Sequence, residues 1–392
     1  MHIGIDYTAA AWQGAGIGRY TRELIRAIAA QGDSHRYSLF YAAGGLAPDS
    51  PYMADLRWLC DTHANVRRVP IPLSPRRLTQ FWQRLRVPLP VELFTGALDL
   101  LHAPDFVLPP TRARTIVTIH DLSFLVHPEC AEPSMVRYLT DAVPRGLRRA
   151  NVILADSQAT RHDLARLLAI DPARVELVYP GVGPHFRPMV AEDTVQVRDR
   201  LGLPARFVLF VSTLEPRKNL VRLLEAFAQV IGAEDVDRQS AVADLHLVIA
   251  GRRGWLYEDI FAAIDRLQLR ERVQLLDYVH DNDLPALYNL AAAFAYPSIY
   301  EGFGIPPLEA LACGTPTVIA DNSSLPEVVA DAAVLVSAED VGSIASGIRL
   351  VVSDDGLRAR LRVAGPAQAR KFTWQQAAKR VLACYQRAVS PN

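Results

Sequence analysis

Short apolar runs alternate along this chain with segments whose apolar residues recur at helical spacing. The runs predict strands over 2–6, 37–41, 66–69, 98–102, 115–120, 151–156 and 175–179. Ile17, Tyr20, Leu24, Ile25 and Ile28 predict a helix over 17–30, and Ser157 reads as the N-cap of another reaching Leu168. Residues 43–61 read as loop. The breaker-rich Pro180-Gly181-Val182-Gly183-Pro184 closes this half. The alternation restarts with strands over 207–212, 245–250, 273–276, 291–295 and 316–320. Helices are expected near 213–231, 283–290, 308–313, 325–328, 341–352, 356–371 and 373–388. Strands alternating with helices make an α/β chain of parallel sheets. At 392 residues it exceeds one typical core, so two domains are expected, 1–183 and 184–372, followed by a terminal helix over 373–392.

One segment breaks the pattern. Residues 62–91 contain no acid, while Arg67, Arg68, Arg76, Arg77, Arg84 and Arg86 accompany Leu78, Phe81, Trp82 and Leu85 on one helical face. Such a segment can lie on an anionic membrane surface. Equally, its apolar face can pack on a sheet while the arginines are solvated or bind an anionic acceptor.

Composition narrows the function classes. Lys plus Arg and Asp plus Glu both number 42, so net charge gives no reason to invoke nucleic acid. No apolar run approaches the roughly 20 residues that cross a bilayer. The start, Met-His-Ile-Gly-Ile-Asp, reads as a first strand rather than a signal peptide, which makes the cytoplasm the expected location. Cys60, Cys130, Cys313 and Cys384 are scattered, indicating neither a disulfide framework nor a zinc site.

Candidate chemistry gathers at predicted strand ends, the ligand-binding edge of an open parallel sheet. The stretch 296–316 passes from strand through Glu301-Gly302-Phe303-Gly304 into a helix carrying Glu309. Its glycines allow close backbone approach and its helix start favours an anion, although both acids also suit a plain helix start. Gly14-Ala15-Gly16-Ile17-Gly18 is a second glycine-rich turn but lacks the full dinucleotide fingerprint. His120 ends a strand, Gly251 ends another, and Arg217 with Lys218 stands at a helix start where cations are normally disfavoured. Either an anion sits between those two cations, or they are solvated surface residues.

Taken together, Glu-Gly-Phe-Gly-Ile-Pro-Pro-Leu-Glu at 301–309, Thr-Ile-His-Asp-Leu-Ser-Phe at 118–124 and Glu-Pro-Arg-Lys at 215–218 resemble the retaining family-4 glycosyltransferases. The resemblance extends along nearly the whole chain. It implies a GT-B fold: two doubly wound, Rossmann-like parallel-sheet domains facing a cleft, acceptor mainly on the first and nucleotide sugar mainly on the second. The last helix, near 374–388, then packs back on the first domain.

By the same resemblance, Gly16 lies near the donor phosphates, with Ala15 replacing one of the two usual glycines. His120 contacts the transferred sugar with Asp121 in support, and His102 is a second candidate on the acceptor side. Lys218 and Arg217 stabilise the departing diphosphate, and Gly251 is a close-approach position. Tyr278 and Val279 belong to the base pocket. The turn Glu301, Gly302, Phe303, Gly304 and Ile305 holds sugar hydroxyls, and Glu309 holds the ribose. Val211 and Ser212 stand where many members carry Gly-Arg, leaving Arg217, Arg252 and Arg253 as candidates for a second diphosphate contact.

The wording of the motifs is nearest the bacterial mannosyltransferase-like branch. GDP-mannose is therefore the favoured donor, ahead of UDP-, dTDP- and ADP-sugars, with a saccharide or lipid-linked saccharide as acceptor. No metal or other cofactor is expected. A nucleotide-sugar epimerase or hydrolase, or a catalytically silent nucleotide-binding subunit, remains as an alternative of another class.

Overall fold

The computed structural model describes every residue except Ala15, Asp33, Pro48, 233–241 and 391–392. The chain divides into two compact units. One comprises Met1–Leu125, Ser134–Gly181 and Thr373–Asn392, and the other Val126–Pro133 and Val182–Phe372. The expected partition kept 126–133 with the first half. In the structure this segment joins the second unit, where Trp255 Nε1 donates to Cys130 O at 2.8 Å and the His127 ring meets Tyr300.

The first unit holds a seven-stranded sheet: β1 (His2–Asp6), β2 (Arg36–Ala42), β3 (Val66–Ile71), β4 (Leu100–Ala103), β5 (Arg114–Ile119), β6 (Val152–Ala155) and β7 (Val175–Leu177). Its order is β3-β2-β1-β4-β5-β6-β7, with every pair parallel. Residues 100–103 are all buried, because central parallel strands are covered on both faces. The order reverses between β1 and β4, so their carboxyl ends, at Asp6 and Asp105, flank the crevice where open sheets receive ligands.

Helix Ile17–Ala29 turns the predicted Tyr20, Leu24, Ile25 and Ile28 stripe inward. The terminal helix, Trp374–Val389, packs against it and buries Trp374, Ala378, Val381 and Tyr385 in the same core. Thr373 caps this helix by accepting from the Gln376 amide. Gly181 passes so close to the helix start that a Cβ there would lie 2.1 Å from Trp374 N.

His102 is corrected by this arrangement. It is wholly buried rather than ligand-facing, with Nδ1 2.7 Å from Tyr385 Oη and Nε2 3.0 Å from Thr118 Oγ1. Burial pushes its imidazole down to about 3, aided by the charge of His120, so it is a neutral strut between sheet and terminal helix.

Sequence periodicity missed several features, helices Ala191–Leu201 and Glu258–Arg266 among them. Residues 52–62 form helix Tyr52–Thr62 rather than loop, burying Met53, Leu56 and Leu59 at every third position. The long helix Pro133–Arg149 runs through Pro144. Finally, the acid-poor segment is not one continuous amphipathic helix. Helix Pro75–Leu78 leads into a π-turn, Thr79–Arg84, whose wider winding splits the expected face. Leu78 is buried and Trp82 packs partly on the core, while Phe81 and Leu85 point to solvent.

The second unit holds six parallel strands: β8 (Phe207–Val211), β9 (His246–Ala250), β10 (Val273–Leu276), β11 (Ala293–Tyr296), β12 (Thr317–Ala320) and β13 (Val334–Val336). Their order is β10-β9-β8-β11-β12-β13. The reversal falls between β8 and β11, where Phe210 stacks on Tyr296 at 5.6 Å. Strand β13 also escaped the sequence reading, because three residues are too few to show a period.

Replacing Tyr385 with Phe removes one partner of buried His102. Urea unfolding should show a loss of about 1–3 kcal/mol, the usual consequence of leaving a buried polar atom unmet.

Candidate active site

Two loops leave the switch point of the second unit. After β8 the chain makes a 3-10 turn, Pro216–Lys218, and then Asn219 adopts a left-handed conformation with φ 60°. The Asn219 side chain holds that kink by donating to Pro297 O at 2.9 Å and Ala338 O at 2.7 Å. This kink separates the turn from helix Leu220–Ile231 and directs Lys218 into the protein.

After β11 the chain delivers Glu301 to the same place. Its Oε1 accepts from Lys218 Nζ at 2.6 Å, Ser298 Oγ at 2.7 Å and Tyr296 Oη at 3.0 Å. Its Oε2 accepts from Arg217 Nη1 at 3.0 Å. Arg217 also donates to Tyr300 O at 2.7 Å and to Glu215 Oε1 at 2.7 Å. Burial alone would push the Glu301 carboxyl up, but Arg217 and Lys218 bring it down to about 2. Lys218 is opposed by burial and by Arg217, yet the Glu301 charge leaves its ammonium above the ordinary lysine value.

The two cations beside a helix start therefore do meet anions, and these belong to the protein: Glu215 and Glu301. A phosphate or sugar hydroxyl entering here must exchange with partners already in place.

Helix Ile305–Ala312 begins at Gly304, whose φ of 105° disfavours other residues and where a Cβ would meet Leu325 at 2.8 Å. Pro306 and Pro307 lack amide hydrogens, so the donors of this helix start are concentrated just before them, at 302–305. Glu309 lies one turn on and is 2 % exposed, accepting from Tyr288 Oη at 3.0 Å.

The flanking strand ends contribute aromatic and cationic groups. Val279 is buried and Tyr278 half-buried after β10, with the Arg252 guanidinium 4.3 Å over the Tyr278 ring. Arg253 turns instead to Phe261, at 4.8 Å. Gly251 has a structural reason to be glycine, since a Cβ would lie 1.7 Å from Ser212 O, and its amide already donates to Leu276 O at 3.0 Å. An Asp-x-Asp triplet also stands at 281–283, with Asp283 paired to Arg200 at 2.5 Å.

The first unit presents its own constellation. His120, at the end of β5, places Nδ1 2.6 Å from Asp156 Oδ2 and Nε2 2.8 Å from Pro104 O. A carboxylate and a carbonyl can only accept, so both ring nitrogens carry hydrogen and the ring is an imidazolium. Burial works against that charge, but Asp156, with help from Asp105 and the Pro104 carbonyl, raises His120 to about 9. Tyr20 and Phe106 stand edge-on to the ring, at 4.7 and 5.5 Å. Both nitrogens are thus committed within the unit, and a sugar contact through the ring requires one to be released. Asp121 accepts from the Ser123 amide at 2.8 Å, a local turn.

Asp6, Asp105 and Asp156 were not singled out from sequence, although each lies at or just beyond a strand's carboxyl end. Burial raises the Asp6 carboxyl to about 6, with Thr8 hydrogen bonds opposing and Asp105 adding to the rise. Gly16 caps helix Ile17–Ala29 with φ 57°, while its neighbour Ala15 lies outside the described residues.

The family models match in two consecutive blocks, "Glycosyltransferase Family 4" over residues 14–186 and "Glycosyl transferases group 1" over 196–368. An Escherichia coli relative, the O-antigen chain mannosyltransferase B, is 31% identical over 94% of this chain and 95% of its own length. The chain belongs to the family-4 glycosyltransferases.

Solved structures agree on the GT-B fold of this glycosyltransferase. Sucrose-phosphate synthase from Thermosynechococcus elongatus matches with a TM-score of 0.73 at 20% identity, covering 99% of this chain and 98% of its own. Anabaena Alr3699/HepE in complex with UDP and glucose matches with a TM-score of 0.74 at 19% identity, covering 98% and 99%.

Glu301→Gln removes the carboxylate partner of buried Lys218, while Arg217 keeps Glu215, and urea unfolding at pH 7 should show a loss of about 3–5 kcal/mol. Because the folded pKa lies below the unfolded one, the stabilisation from this carboxylate is complete above pH 4.5 and disappears as pH falls towards 2. The variant should lack that part of the acid dependence.

The His120 pair has the opposite sign. Its stabilisation is complete below pH 6.5 and disappears as pH rises through 9. Melting temperatures measured across that window should fall for the native protein and stay flat for Asp156→Asn.

Proposed function

We propose that this glycosyltransferase moves mannose from GDP-mannose, with retention of anomeric configuration, to a hydroxyl of a saccharide or lipid-linked saccharide during surface polysaccharide synthesis. The observation that carries the transfer chemistry is the cluster of buried Lys218 and Glu301 with half-buried Arg217 at the β8/β11 switch point. The choice of mannose rests on the E. coli relative, whose name states that sugar.

In this reading the donor binds the second unit and the acceptor the first. Glu309 holds the ribose hydroxyls, Tyr278 and Val279 border the base, and the amides of 302–305 receive sugar and phosphate oxygens. The acceptor oxygen forms a bond to the anomeric carbon as the bond from that carbon to the diphosphate oxygen breaks. The electron pair leaves with the diphosphate, which takes the acceptor proton on the same face of the sugar. Negative charge grows on the leaving group, and Lys218 with Arg217 meets it in a water-poor site where such contacts are strongest. His120 is the proposed sugar contact on the first unit, made when one ring nitrogen leaves Asp156 or the Pro104 carbonyl, and Gly16 lets backbone approach the phosphates. The two cations do the work a divalent metal would otherwise do, so chelation with EDTA should leave the rate unchanged.

Among the described residues no helix is long and apolar enough to cross a membrane. The proposed place of work is the cytoplasmic face of the plasma membrane, reached by surface contact through 62–91.

Thermal unfolding against GDP, UDP, dTDP and ADP tests the donor. GDP at 100 times its dissociation constant should add about 2.7 kcal/mol, with the other nucleotides giving less. A selective shift with UDP would discard GDP-mannose. Lys218→Ala should lower kcat by about 10²–10³-fold, and Glu309→Ala should chiefly weaken the GDP shift.

A further inference from the structure

The first unit carries a hollow of about 400 Å³ away from the residues assigned above. Its lining includes Arg86, Arg112, Arg145 and Arg149, with Trp82 among them and no acidic residue. Two of these arginines are anchored. Arg145 pairs with Asp141 at 2.9 Å and donates to Gln83 O at 3.2 Å, and Arg149 donates to Pro109 O at 3.2 Å. Arg86 reaches Asp141 only at 3.6 Å, and the Arg112 side chain is exposed. Asp141 thus serves two of the four guanidinium groups, the Glu92 carboxylate accepts from the Arg112 backbone amide at 2.7 Å, and positive charge is still left over.

The same stretch of chain turns large apolar groups to solvent. Phe81, Leu85, Leu89, Leu93 and Phe94 are 42, 62, 47, 64 and 40 % exposed. The stretch from Phe81 to Leu89 is tied down by specific bonds: Trp82 Nε1 donates to Leu89 O at 3.0 Å, and Gln83 Nε2 donates to Leu108 O at 3.0 Å. The π-turn produces this result, having rotated Phe81 and Leu85 off the core-facing side. Neighbouring exposed apolar side chains beside surplus arginine suit an interface that is oily within and anionic at its edge.

We propose that this face docks on an anionic phospholipid bilayer. Phe81, Leu85, Leu89, Leu93 and Phe94 enter the headgroup boundary, and the hollow receives a lipid phosphate between Arg86 and Arg112. The inference rests on the surface-contact reading above and replaces a continuous basic helix over 62–91 with a defined apolar rim and phosphate hollow.

Co-sedimentation of the full chain with vesicles tests it, using phosphatidylcholine alone and phosphatidylcholine with phosphatidylglycerol. Native protein should bind the anionic vesicles, and binding should weaken as salt rises. Leu85→Asp with Leu93→Asp should reduce that binding at least tenfold. Arg86→Ala with Arg112→Ala should reduce it about 25-fold, near fivefold for each arginine, and should leave only the weaker phosphatidylcholine binding. All four positions are exposed, so melting temperatures should stay close to native. No binding of native protein to anionic vesicles, or binding unchanged in both variants, overturns the proposal. Inorganic phosphate raising the melting temperature without any vesicle binding overturns it too. Transfer to a water-soluble saccharide, assayed on the same preparations, tests the glycosyltransferase reading separately, and neither variant should alter it.

Discussion

The buried contact of Lys218 with Glu301 is the constraint on which the second unit is organised. A lysine and a glutamate removed from water are tolerated only when paired and fully hydrogen-bonded. Tyr296, Ser298 and Arg217 complete the shell, and each arises from β11, the loop that follows it or the loop after β8. The left-handed Asn219, tied to the carbonyls of Pro297 and Ala338, sets the angle at which the lysine enters. Local backbone, sheet order and charge pairing therefore serve one arrangement, at the reversal between β8 and β11.

That arrangement gives the resting site a preformed counter-charge. Glu301 neutralises Lys218 and Arg217, which keeps both cations charged and positioned. In the proposed reaction, binding a diphosphate here is an exchange of one anion for another. The first unit uses the same device: the Asp156 carboxylate keeps His120 a cation, aimed by the Pro104 carbonyl. In both places a buried charge is set by a partner on a neighbouring strand end.

The two histidines of the first unit show how far residue type alone can mislead. His102 and His120 both follow apolar runs near strand ends. The first sits within its strand, between Tyr385 and Thr118, and is neutral. The second sits one residue past its strand and is charged. A shift of a few ångströms along the strand axis decides between strut and site. Nothing in the residues near 102 reports a tyrosine 283 positions away.

Strands β8, β9 and β11 were legible because central parallel strands are apolar on both faces and stand out as short apolar runs. The glycine turns and the spacing of Glu301 and Glu309 were legible because backbone geometry demands particular residues there. Helix Tyr52–Thr62, the π-turn and β13 were not, being short or built on a period other than 3.6. Sequence by itself determined the alternation of strand and helix, the family and the candidate residues, all of which depend on local pattern. The pairing of Lys218 with Glu301, the charge on His120 and the outward turn of Phe81 and Leu85 were decided only in three dimensions, because burial and charge pairing depend on residues distant in the chain.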